Sequence, residues 1–224
     1  MDKKAMYKLS YGLFVLTTKV GDKDNGCITN TAIQVTTEPN QIAFAVNKLN
    51  YTHDMLMESK VFNISILSED ASFDVFKRFG FQSGREVDKF ADYEGPGASG
   101  MYDVSANGIT YIKDGTNAFI SGNVEQTVDL GTHTLFICAV TDMEVLSDVP
   151  SATYAYYQDN IKPKPADIAV GEKVGTLEKN ENDKGVTIWR CTICGYEYEG
   201  EELPEDFICP WCKHPASDFE KVTR

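Results

Sequence analysis

Two Cys-x-x-Cys pairs, Cys191-Thr-Ile-Cys194 and Cys209-Pro-Trp-Cys212, stand fourteen residues apart in the last part of the sequence. No other feature constrains the fold as strongly. Two such knuckles bring four sulfurs to the corners of a tetrahedron, which is a closed site for a thiophilic metal. The segment that carries them, residues 187–224, is too short to fold on an apolar core alone, so a bound metal supplies its missing stability. The spacing leaves the identity of the metal open, because zinc ribbons use the same paired knuckles.

The neighbours of the cysteines favour iron over zinc. Trp189 precedes the first knuckle, Gly195-Tyr196 follow it, Pro210 lies inside the second, and Phe219 comes downstream. Glycine lets backbone N–H groups approach the thiolates and tune their potential, while aromatic rings keep water off the sulfurs. From Trp189 to Phe219 the pattern resembles rubredoxin, and most of all the short form at the end of rubrerythrins. The resemblance implies a single iron held by Cys191, Cys194, Cys209 and Cys212. The loop 199–206 is abbreviated relative to free-standing rubredoxins, which exposes one side of the site. Residues 187–224 carry eight acids against four bases. That excess serves either solubility or the steering of a redox partner with a basic rim.

The rest of the 224-residue chain has room for one further domain. Runs with strand character cover 13–20, 28–37, 42–47, 61–67, 109–113, 117–129 and 134–146. Phe62, Ile64 and Ile66 alternate with Asn63 and Ser65, the period of a strand with one face in a core. Turn chemistry falls at 21–26, at Asn107-Gly108 and at Asp114-Gly115. Short helices are predicted over 2–10, 52–60 and 70–79. Many antiparallel strands with few helices predict a mainly β fold, a split barrel that disposes of exposed edges. Composition changes near Gln158, and Ile161-Lys-Pro-Lys-Pro-Ala166 can continue neither a helix nor a central strand. The predicted division is a barrel over 1–157, a tether over 158–186 and a metal domain over 187–224.

Charge and cysteine usage narrow the function. A net charge of −13 repels the phosphates of nucleic acid. No apolar run approaches the length of a membrane span. Lys3, Lys4 and Lys8 before the apolar 13–16 resemble a signal peptide only in outline, because Thr17, Thr18 and Lys19 cut the stretch short. Cys27 and Cys138 lie alone in strand-like segments, where buried reduced thiols fit better than a disulfide. The expected location is a reducing cytoplasm.

Nothing in the first domain reads as a Walker loop or as a GxGxxG opening a helix, so a Rossmann nicotinamide site is not supported. Small polar residues gather instead at strand ends, in Asn25-Gly-Cys-Ile-Thr29-Asn30-Thr31-Ala-Ile-Gln34-Val35-Thr36. Asn47-Lys48-Leu-Asn50-Tyr51-Thr52 then offers a cation, hydroxyls and a helix N-terminus, a good setting for a phosphate. Ser83-Gly84-Arg85 and Asp88-Lys89-Phe90 add cations on a loop, and Gly131-Thr132-His133 precedes the last long strand.

From residue 9 through Pro165, the order of these motifs resembles the flavin reductase-like, FMN-binding split-barrel family. The resemblance implies that Thr29, Asn30, Thr31, Gln34, Val35 and Thr36 line the flavin ring and ribityl chain. It places Asn47, Lys48, Tyr51 and Thr52 near the phosphate, and adds Ser83, Arg85 and Lys89. The family often carries Gly-Asp-His where this chain has Gly131-Thr132-His133, which leaves His133 without an acidic neighbour. Tyr154, Tyr156 and Tyr157 match a terminal aromatic stretch whose expected role is mostly core packing.

A barrel of this kind followed by rubredoxin resembles the high-molecular-weight rubredoxins of anaerobes. That resemblance implies an NAD(P)H-linked oxidoreductase in which FMN takes hydride and iron carries single electrons onward. It further implies a barrel homodimer and a flavodiiron oxygen or nitric oxide reductase as acceptor. Two rivals stand beside this reading. One is an electron relay reduced by another protein; the other is a general flavin or ferric reductase with a structural metal module.

Overall fold

Strand β1 (Phe14–Val20) turns back into β2 (Lys23–Thr29) through Gly21-Asp22, with Gly21 at φ 58°. Glycine at the first position of a two-residue loop gives the positive φ that matches the twist of the strands it joins. The turn predicted over 21–26 is therefore shorter, and Lys23–Gly26 belong to β2. Five further strands complete the sheet: β3 (Ile33–Thr37), β4 (Asn40–Asn47), β5 (Val61–Leu67), β8 (Thr116–Asp129) and β9 (His133–Val145). Helix α1 (Tyr51–Ser59) links β4 to β5, and α2 (Phe73–Gly80) follows β5. A short ribbon of β6 (Tyr102–Val104) and β7 (Thr110–Ile112) precedes β8. The computed structural model describes residues 5, 8–92, 100–163, 187–191, 196–209 and 215–223. The helix predicted over 2–10 falls largely outside them.

The seven strands pair antiparallel throughout, in the order β2-β1-β5-β8-β9-β4-β3. The architecture is mainly β with short helices, as the alternation and turn signals require. Both faces of the central strands are covered, so neighbours in sequence are buried together. Val15 joins a cluster with α2 residues Val75, Phe76 and Phe79, while Leu16 joins another with Leu56 of α1. The second cluster centres on Phe44, which meets Phe62 edge-on at 5.0 Å and stacks with Phe136 at 5.6 Å. Each such ring contributes roughly 1.5–3 kcal/mol by leaving water.

The alternation along β5 has a different meaning from the predicted one. Asn63 and Ser65 are fully buried beneath the β6–β7 ribbon rather than turned to solvent. Asn63 donates to Ser105 Oγ at 2.8 Å and to the Ile109 carbonyl at 3.0 Å. It accepts from Ser121 Oγ at 2.6 Å and from Asn107 at 2.9 Å, so its amide is fully used.

Residues 28–37 do not form one strand. The chain leaves β2 at Thr29, passes through 30–32 and re-enters the sheet as β3 at its opposite edge. Thr31 makes the join: its Oγ1 accepts from Ala45 N–H at 2.9 Å and donates to the Ala45 carbonyl at 3.2 Å. One side chain thus ties the end of β2 to β4 where no backbone ladder pairs the two.

The first compact unit spans Met1–Lys162 and the second Pro163–Arg224. The first extends past residue 157 because α3 (Tyr154–Tyr156) runs into a turn over Tyr157–Ile161. Tyr157 is buried there, 4.4 Å from Phe76 between ring centroids, and Tyr154 packs against the same cluster. Most of the predicted tether, 164–186, lies outside the described residues. In the second unit, β10 (Thr187–Cys191) is flanked by β11 (Glu197–Glu199) and β12 (Phe219–Thr223), antiparallel on both sides. No helix among the described residues is long and apolar enough to cross a membrane.

Candidate cofactor site and metal centre

Four consecutive residues in the first turn of α1 each bind a residue distant in sequence. Tyr51 has Lys23 Nζ 4.7 Å and Arg85 Cζ 4.9 Å from its ring centroid, a cation–π contact with each. Thr52 Oγ1 accepts from Asn25 Nδ2 at 3.0 Å. His53 Nε2 lies 2.9 Å from Thr134 Oγ1 on β9, and Asp54 Oδ2 accepts from Arg85 at 2.5 Å. That guanidinium holds the Asp54 carboxyl below the usual carboxylate range. Asn50, the N-cap residue, makes no side-chain cap, though its carbonyl accepts from His53 N–H at 3.0 Å, and Lys23 and Arg85 lie close to the helix start. Such a terminus favours an anion.

The loop 83–85 is fitted against β2. Lys23 Nζ donates to the Gly84 carbonyl at 3.1 Å, and a Cβ on Gly84 would lie 2.1 Å from Asn25 Oδ1. Glycine is therefore required for the loop to approach. Ser83 Oγ accepts from Arg85 N–H at 3.3 Å and shapes the turn.

Asn47 and Lys48 end β4 beside the β8–β9 turn. Lys48 N–H donates to the Thr132 carbonyl at 3.0 Å, and its ammonium meets Asp129 at 2.7 Å. His133 sits opposite Asn47 in the ladder, with Nδ1 2.9 Å from Thr132 Oγ1. The threonine hydroxyl, not an acid, is thus the adjacent partner of the histidine.

The structure brings Thr29 and Thr31 to one place, both bonded to the Ala45 carbonyl, with Asn30 half-buried between them. Tyr51, Thr52, Ser83 and Arg85 converge around the start of α1. Gln34, Val35 and Thr36 run away from Ala45 along β4 on the outer strand, where Val35 is 48% exposed and Gln34 reaches Asn40. Lys89 does not join the set. It is 4% exposed, and its ammonium donates inward to the Gly26 carbonyl at 2.8 Å and the Phe79 carbonyl at 3.5 Å. Burial pushes it down to about 8. The loop cation expected at the cofactor is instead a tie between β2 and α2. Sequence alone does not mark Lys23, His53 and Asp54 as site residues, because residue 23 lies in turn chemistry and 53–54 lie inside a predicted helix.

Cys27 and Cys138 are buried, unbridged thiols in the same apolar cluster. Burial raises both, Cys138 to about 12. A cavity of about 680 Å³ lies elsewhere, between Ser68, Met101, Thr116 and Leu146.

In the second unit, Cys191 is 1% and Cys209 0% exposed. Cys191 N–H donates to the Tyr196 carbonyl at 2.8 Å. Phe207 is the hub of the apolar side, 4.8 Å from Tyr198 and 5.3 Å from Phe219 between centroids. Arg190 binds Glu197 through Nε and Nη2 at 3.0 and 2.6 Å. Cys194, Gly195, Pro210 and Cys212 lie outside the described residues. Two soft sulfur donors withdrawn from water in so small a unit fit a thiophilic metal.

An antiparallel sheet of this order with a cation-flanked helix start, followed by a small cysteine-bearing unit, suits a flavin-linked electron-transfer oxidoreductase. The comparisons agree. The model of the flavin reductase like domain matches residues 6–164, and that of the rubrerythrin, rubredoxin-like domain matches 189–220. The chain belongs to the flavin reductase-like family, and a rubredoxin-like domain follows its family domain. It is 37% identical to the high molecular weight rubredoxin of Moorella thermoacetica, over 99% of this chain and 100% of that one. It is 38% identical to the ferric-chelate reductase (NAD(P)H) of Archaeoglobus fulgidus, over 70% of this chain and 89% of that one. Among solved structures, flavin reductase PheA2 in its native state superposes with a TM-score of 0.53 at 27% identity, covering 66% of this chain and 90% of that one.

Proposed function

We propose that the chain is an NAD(P)H-dependent oxidoreductase whose electrons pass from a nicotinamide by way of FMN to a rubredoxin-type iron. A flavodiiron oxygen or nitric oxide reductase would then accept them. The observation that carries this reading is the union, in one chain, of a flavin reductase-like unit with a unit whose two described knuckle cysteines are both buried. Bound FMN would supply the conversion of hydride into single electrons. Thr29, Asn30 and Thr31 would meet the ring and ribityl chain, with Gln34, Val35 and Thr36 further along the edge. Asn47, Lys48, Tyr51, Thr52, Ser83 and Arg85 would gather about the phosphate, with Lys23 as an added cation. Cys191, Cys194, Cys209 and Cys212 would hold the iron. His133 stands at the rim with Nδ1 engaged by Thr132. A barrel homodimer fits the exposed edge strand β3, where Ile33 and Val35 are 63% and 48% exposed. The covalent link between the units would raise the effective concentration of the iron near the flavin.

A second reading, a flavin or ferric reductase with a structural metal module, is favoured by one observation. The ferric-chelate reductase relative matches 70% of this chain at an identity as high as that of the end-to-end relative. Anaerobic stopped-flow mixing with NADH and with NADPH separates the two. Loss of the flavin band followed by loss of the ferric-thiolate band supports the proposal. Flavin bleaching with an unchanged metal band, or zinc at full occupancy, supports the reductase. No bleaching with either nucleotide leaves a relay reduced by another protein.

A further inference from the structure

The Arg85 guanidinium is half-exposed on a surface loop, yet it is joined to the core in three steps. Its Nη2 donates to Asp54 Oδ2 at 2.5 Å. The other oxygen, Asp54 Oδ1, lies 3.2 Å from His53 Nδ1. His53, with its side chain only 10% exposed, reaches Thr134 Oγ1 through Nε2 at 2.9 Å. The edge of its ring faces Phe136 at 5.9 Å, inside the second apolar cluster. An ionised carboxylate only accepts, so Nδ1 donates to Asp54, while Nε2 and the Thr134 hydroxyl share the second hydrogen bond. A flat ring with a polar nitrogen on each side is what this junction needs. Neither an aliphatic nor a second carboxylate could satisfy both ends.

We infer that His53 is a positioning residue: through Asp54 it fixes the Arg85 guanidinium beside Tyr51 at the start of α1, so that a phosphate meets an already ordered cation. This rests on the reading that Arg85 faces the flavin phosphate. A free arginine on a loop loses side-chain freedom when it captures an anion. The Thr134–His53–Asp54 chain has removed that freedom before the ligand arrives. His53 touches no ligand itself, and its effect is confined to the phosphate end of the flavin.

Riboflavin has the ring and ribityl chain of FMN without the phosphate, so the ratio of the two affinities isolates the phosphate end. Full-length protein freed of flavin is titrated with each, following quenching of flavin fluorescence. Arg85→Gln is expected to weaken FMN about tenfold and riboflavin less than about twofold. His53→Leu and the milder Thr134→Val should each weaken FMN about fivefold and spare riboflavin, with Thr134→Ser restoring the ratio. In the double variant, His53→Leu should add nothing to Arg85→Gln, because its effect runs through that cation. If Arg85→Gln lowers the ratio while His53→Leu and Thr134→Val do not, the positioning role is wrong and the phosphate reading stands. Additive effects in the double variant overturn it equally. If Arg85→Gln leaves the ratio unchanged, the phosphate reading itself fails. Should His53→Leu not fold, Thr134→Val and Thr134→Ser decide the matter.

Discussion

Lys89 holds its ammonium against two backbone carbonyls, Gly26 and Phe79, at a depth where water scarcely reaches. Desolvation disfavours the charged form and lowers its proton affinity to about 8. In the unfolded chain the same group binds its proton up to an ordinary lysine value, so between about pH 8 and 10.5 the unfolded state carries the extra proton. Stability contributed by this residue therefore rises with pH across that window, by on the order of 3 kcal/mol, and is flat below it. Urea unfolding of wild type and Lys89→Met at pH 7.5 and pH 10.5 should show the wild type gaining relative to the variant at the higher pH. An equal difference at both would mean the amine is solvated. The sequence placed Lys89 in a cationic loop, and residue type alone suggests a ligand. What holds it inward is tertiary: its carbonyl partners, Gly26 and Phe79, come from β2 and α2 rather than from the loop itself. Cys191 and Cys209, by contrast, are expected from spacing alone to turn inward toward a metal, and both are buried.

At the scale of elements, long strands were legible and their edges were not. The periodic runs at 61–67 and 117–129 became β5 and β8 nearly unchanged. The run at 28–37 was split because Thr31 replaces a ladder with two side-chain hydrogen bonds to Ala45, a preference that β-propensity does not register. The β6 strand went unseen, since three residues give no period to read. Asn63 looked solvent-facing for a related reason: a buried amide whose partners lie more than forty residues away leaves no local trace. The Thr31 join makes a definite prediction. Thr31→Val keeps the shape but leaves the Ala45 N–H without its acceptor, which should cost about 1–2 kcal/mol in urea unfolding. Thr31→Ser should recover most of the loss. Equal destabilisation by both would assign the effect to packing of the methyl group rather than to the hydroxyl.

For the whole molecule, the two units differ in what keeps them folded. The first has two apolar clusters on either side of a seven-stranded sheet. Among the described residues the second has three short strands and a small aromatic group around Phe207, too little apolar area to offset the chain entropy of ordering it. The binding energy of a metal held there would then be folding energy. Both tryptophans, Trp189 and Trp211, fall within residues 187–224, so tryptophan emission reports on the second unit alone. Stripping the metal from full-length protein with a chelator should move that emission to longer wavelength. The far-ultraviolet β signal and bound flavin of the first unit should persist, and Cys191→Ser should reproduce the change without a chelator. Iron added back under reducing conditions should restore the emission in the stripped wild type and not in the variant. An emission maximum that stays put on metal removal would mean that the Phe207 cluster suffices to fold the unit, and that the cysteines serve electron exchange without serving the fold.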